Sequence, residues 1–250
     1  MSATSVAAFL RRDLLLLRRN TASLISMFVV PPLFLLCLYA VFGYSAEQSG
    51  FGYLRFVLGG CLFQAAMFTA AASAMAVGQD VESGLVDRVR VLPGATGGYV
   101  AGRLVTDVLR MSASIAALLV VAWACGLDMA VGDVAWTVLW SLLAAAVLSL
   151  VTDGVILMVP APVSTASSIQ ALEMLLLMFS TAFIPATALD GSLRDIVRHM
   201  PFSPIIEVIR AASPNAFPDS AGEEAALWLG VAAVAGIVLF IRRFTSRSES

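Results

Sequence analysis

The chain has 250 residues, a formal net charge of -2, 60% hydrophobic and 13% charged residues, and a mean hydropathy of +0.91. Such a composition lies well outside that of soluble domains, and the near-neutral balance gives no field for nucleic acid. No Lys is present, so a lysine-based phosphate cradle is excluded, and Cys37, Cys61 and Cys125 fall in apolar runs without metal-ligand spacing.

A hydrocarbon core about 30 Å thick demands about 20 apolar residues in a helix, which satisfies its own backbone hydrogen bonds. Six stretches meet this: Ser23 to Phe42, Phe56 to Val77, Val105 to Gly126, Val134 to Pro160, Ser164 to Ala188, and Ala225 to Ile241. The fold class expected is therefore an all-α polytopic membrane protein. Residues 1–22 are expected to form an amphipathic cytoplasmic helix, with Phe9, Leu10, Leu14 and Leu17 on one side and arginines on the other. Residues 23–241 would hold the six spans and 242–250 a cytoplasmic tail. A cleavable signal is a poor reading of the first span, because Pro31-Pro32 break its apolar run.

Arg11, Arg12, Arg18, Arg19, Arg88, Arg90, Arg103, Arg110, Arg242, Arg243 and Arg247 fall on one side, against Arg55, Arg194, Arg198 and Arg210 on the other. This bias places both termini in the cytoplasm of a multi-pass protein, and the all-Arg, Ala-rich and Val-rich usage suggests a bacterial cytoplasmic membrane. The connection 78–102 is then cytoplasmic, and the connection 189–224 is outer or re-entrant, with an amphipathic Leu193 to Met200 stretch followed by several prolines.

Ionisable residues inside spans are costly, about 2.5 to 3.5 kcal/mol for an Asp at a helix centre, so they are read as pathway candidates. Glu173 is expected near mid-depth and Asp153 near the inner end of the fourth span; Glu173 could pair with Arg110, or remain a structural polar contact. Arg103, Asp107 and Arg110 share one helical face, where mutual pairing accounts for them. His199 has no GxSxG partner sequence, so a serine hydrolase is excluded.

The segment Gln79-Asp80-Val81-Glu82-Ser83-Gly84-Leu85-Val86-Asp87-Arg88-Val89-Arg90-Val91-Leu92-Pro93 resembles the cytoplasmic signature of type 2 ABC exporter permeases: an acidic pair, a Gly, then a basic and apolar run ending in Pro. Pro31-Pro32, Phe183-Ile184-Pro185, Met200-Pro201-Phe202-Ser203-Pro204 and Ile209-Arg210 extend the resemblance, which is nearest to the daunorubicin-resistance branch of drug and lipid exporters; Ser203 stands where that family often has Asn. The resemblance implies a permease subunit without its own ATPase, working with a second permease copy or a homologous permease and a separate ABC ATPase subunit that holds ATP and Mg. This chain itself would bind no cofactor or metal, and would move a small hydrophobic or amphipathic compound, a drug or a lipid, outward. It also implies that Asp80, Glu82, Gly84, Asp87, Arg88 and Arg90 form the element resting on the ATPase. A self-contained proton-coupled carrier using Glu173 and Asp153 is the alternative.

Overall fold

The computed structural model describes residues 3–19, 25, 28–48, 50–92, 95–211 and 221–245; the side chains of 3–5, 17–19 and 47 lie outside that description, as do 212–220 with Pro214 and Pro218. The helices in chain order are α1 (Ala3–Arg19), α2 (Val30–Gln48), α3 (Tyr53–Glu82), α4 (Leu85–Val91), α5 (Ala95–Ala124), α6 (Val131–Ile156), α7 (Pro162–Met178), α8 (Gly191–His199), α9 (Phe202–Arg210) and α10 (Ala221–Thr245). No strand occurs among the described residues. Four helices, α3, α5, α6 and α10, are long and apolar enough to cross a membrane, and the chain is an all-α polytopic membrane protein.

Several boundaries depart from the sequence reading. The first span was expected at Ser23 to Phe42, but α2 begins at Val30 and runs on to Gln48; Ser23, Leu24, Ser26 and Met27 lie outside the described residues. Pro31 and Pro32 lie in the first turn of α2, directly after Val29, whose N–H bonds the Ile25 carbonyl at 2.9 Å, so the prolines mark where α2 starts. The fifth span, expected to reach Ala188, ends as α7 after 17 residues. At 1.5 Å per residue that is about 25 Å, and the chain then turns towards Pro185. The connection expected over 78–102 is mostly helix: α3 continues to Glu82, α4 follows a two-residue turn, and α5 starts at Ala95. Nothing in Gln79-Asp80-Val81-Glu82 opposes a helix, and Gly84, at φ 71, is what stops it. The outer connection supplies two helices, α8 and α9, where only one was expected.

Helix α3 is the axis of the fold, buried along most of its length. Small residues let its neighbours come close. A Cβ on Gly60 would lie 2.4 Å from the Ala182 carbonyl oxygen, and one on Gly78 3.2 Å from backbone of Pro162 and Val163, so α7 and the turn after it follow α3 antiparallel from end to end. Gly236 of α10 likewise faces the backbone of Leu150 in α6, and Gly102 of α5 faces Phe9 of α1. The main core holds Leu62, Phe63, Met67, Met111, Leu118 and Ile206, and a smaller core under α4 holds Val77, Val86, Val89, Tyr99, Ile156 and Ala166. Outward-facing Leu227, Val231 and Val234 on α10 are largely exposed, as a lipid-facing or partner-facing surface requires.

Candidate functional site

Helix α4 places its apolar residues at i and i+3, so Val86 and Val89 enter the smaller core while the intervening charges stay outside. That core also draws on α3, α5, α6 and α7, with Phe240 and Phe244 of α10 packed against it. The short helix thus shares one small core with the ends of several spans. Glu82, Asp87 and Arg88 are exposed, Arg90 and Gly84 partly so. Asp87 meets Arg243 of α10 at 3.0 Å, whereas Glu82, Arg88 and Arg90 have no ion pair among the described residues.

Asp80 is different from these neighbours. It is 2% exposed, and Arg12 of α1 donates to both of its carboxylate oxygens. Tyr99 donates its hydroxyl to the same carboxylate at 3.1 Å, and Arg103 approaches at 3.7 Å. Arg103 also donates to Asp13 at 3.1 Å and to the Ser73 carbonyl at 3.1 Å, and Arg12 meets Asp13 at 3.2 Å. Two arginines and two aspartates therefore neutralise one another across α1, α3 and α5. Burial alone would lower the pKa of Arg12, but the hydrogen bond and charge of Asp80 outweigh it and hold the pKa above its ordinary value. Apolar contacts support the same joint: Phe9 meets the edge of Tyr99 at 5.6 Å between centroids.

The cluster continues inward. Ser73 donates to Asp153 of α6 at 2.9 Å, and Arg110 donates to Asp107 at 3.2 Å. Arg103 thus turns away from Asp107 to α1 and α3, a departure from the mutual pairing expected of the Arg103, Asp107 and Arg110 face. Arg110 is likewise taken by Asp107, not Glu173. Glu173 lies five residues from the end of α7 and three past its middle, near the centre of that helix as expected. One oxygen of Asp153 and Oε2 of Glu173 have no hydrogen-bond partner among the described residues.

Three members of the cluster, Asp13, Ser73 and Tyr99, were not singled out from the sequence. Asp13 carried a usable signal, a lone acid within the Arg-rich first helix. At the opposite end of α3, Arg210 of α9 was also missed as a structural residue: it donates to the carbonyls of Phe56 (2.9 Å), Thr181 (3.0 Å) and Ala182 (3.2 Å) and lies 3.8 Å over the Phe56 ring. Ser203 ties the same region, donating to the Val197 carbonyl at 2.6 Å and accepting from the Thr181 N–H at 3.1 Å.

This arrangement of a short charged helix beside an N-terminal helix, joined by buried ion pairs to the spans, can be set against known proteins. Over 117 residues the chain is 32% identical to the daunorubicin resistance ABC transporter permease protein DrrB1 of Streptomyces coeruleorubidus, a match that takes in 46% of this chain and 41% of that relative. No solved structure matches the chain. Residues 4–213 match the family described as ABC-2 type transporter, a stretch running from α1 past α9, and the chain belongs to that family.

Proposed function

We propose that this chain is the permease subunit of an ATP-driven exporter, that ATP and Mg are held by a separate ATPase subunit, and that two permease subunits form the pathway for a hydrophobic or amphipathic compound. The observation that carries this reading is α4: its apolar face enters a small core shared with the ends of several spans, while Arg88 on α4 and Glu82 at the end of α3 stand outside without partners among the described residues. A partner pressing on α4 would move those spans as a unit, and exposed charges give such a contact specificity more than affinity. Both termini and α4 then face the cytoplasm. Within this reading Asp80 acts through α1, tying it to the lever, instead of touching the ATPase itself. The family and its DrrB1 relative favour ATP as the energy source over a proton gradient acting through Glu173 and Asp153.

The test is export from cells carrying the chain with its ATPase, comparing wild type with Arg88→Glu and Glu82→Lys. Both variants should insert at normal levels and lose most export. Full export by both would remove α4 from the contact.

A further inference from the structure

A second site lies at the far end of α3 from α4. Phe51, Phe56, Pro185, Arg194, Arg198, Glu207 and Arg210 line a cavity of about 630 Å³, within the range of small-molecule sites. Its charge is unusual. Four arginines occupy this end of the molecule, where the charge bias otherwise leaves few; Arg55 is neutralised by Asp133 at 2.9 Å. The other three all face this one cavity, and Glu207 is the only carboxylate among its described lining residues. Arg210 spends its donors on three backbone carbonyls and Arg194 bonds the carbonyls of Ala186 and Leu189 (3.1 and 3.0 Å), which orients both groups without cancelling their charge. Arg198 has no hydrogen bond or ion pair among the described residues. Positive charge held in place beside the exposed Phe51 ring and the partly exposed Pro185 suits a ligand with an acidic group on an apolar body.

We propose that this cavity binds the phosphate or carboxylate of an amphipathic anion, with Arg194 and Arg198 as the charged contacts and Phe51 and Pro185 as the apolar wall. The site requires no ATPase and no transport cycle, so it stands or falls apart from the export reading.

The experiment measures binding of dodecyl phosphate, below its micelle concentration, to the full chain in phosphatidylcholine nanodiscs. Arg194→Gln with Arg198→Gln should weaken binding by about tenfold or more, as expected for loss of charge-assisted contacts. Glu207→Gln, acting in the opposite direction, should tighten it, which separates a site effect from misfolding. Dodecyltrimethylammonium should bind without regard to these residues, and inorganic phosphate should bind far more weakly than the dodecyl ester. Competition by phosphatidylglycerol in the disc would identify a lipid headgroup as the anion's source; absence of competition would identify a free amphiphile. Unchanged dodecyl phosphate affinity in both the arginine and the Glu207 variants, or equal binding of inorganic phosphate, would overturn the proposal.

Discussion

Replacing Asp80 by Asn deletes one of the two carboxylates that neutralise Arg12 and Arg103 while leaving nearly the same volume. Asp13 would then face both guanidinium groups alone, at 3.2 and 3.1 Å. Removing one partner of a buried ion pair costs about 3 to 5 kcal/mol, mostly from the charge left behind. Arg12 is partly exposed, so the lower end applies: about 3 kcal/mol, or a shift of roughly a hundredfold in the equilibrium that holds α1 on α5. Hydrogen exchange of the full chain in nanodiscs reads this directly. Amides of α1 between Val6 and Leu16 should lose about two orders of magnitude of protection, while those of α6 should not change. Arg12→Gln combined with Asp80→Asn should cost less than the sum of the two, since the pair Arg103 and Asp13 remains balanced. If α1 keeps its protection in Asp80→Asn, the ion cluster does not hold the helix.

Asp87→Asn breaks an exposed pair with Arg243, and thermal unfolding should register only a few tenths of a kcal/mol, as exposed pairs are worth about 0 to 1. Gly60→Ala pushes a Cβ to 2.4 Å from the Ala182 oxygen and should lower the melting temperature and yield sharply; Gly230→Ala, with open space around it in α10, should be neutral or gain about 0.5 to 1 kcal/mol in the same assay. Arg210→Met strands the carbonyls of Thr181 and Ala182, each worth about 1 to 3 kcal/mol if left unbonded, while the Phe56 carbonyl keeps its bond within α3; Arg210→Lys should rescue little because one ammonium cannot span them. Glu173→Gln should leave ATP-driven export intact; export abolished by this change alone would return the proton-coupled reading to consideration.

The membrane class, the approximate places of the spans and the charged segment around Gly84 were legible because hydropathy and turn chemistry are local properties. Helix ends were less so: Asp80 and Glu82 were read in the connection 78–102, yet they belong to the last turn of α3, since nothing before Gly84 forces the helix to stop. The ion cluster was misread for a different reason. Local spacing pairs Arg103 with Asp107, whereas its observed partners, Asp13 and Asp80, are brought by α1 lying across α5 at Gly102. A helical-face argument sees i+4 neighbours and cannot see a helix docked from far along the chain. Arg210 was hidden similarly, because its partners are backbone carbonyls that carry no side-chain signature.

If a separate ATPase drives this chain through α4, the two should be isolated together. Affinity purification of the tagged chain from its native membrane in mild detergent, followed by identification of bound proteins and an ATPase assay, tests it most directly. A stoichiometric partner carrying a Walker motif and vanadate-sensitive ATP hydrolysis is expected, with the partner lost from Arg88→Glu preparations. An oligomer of this chain alone, without ATPase activity, or a partner retained equally by Arg88→Glu, would contradict it.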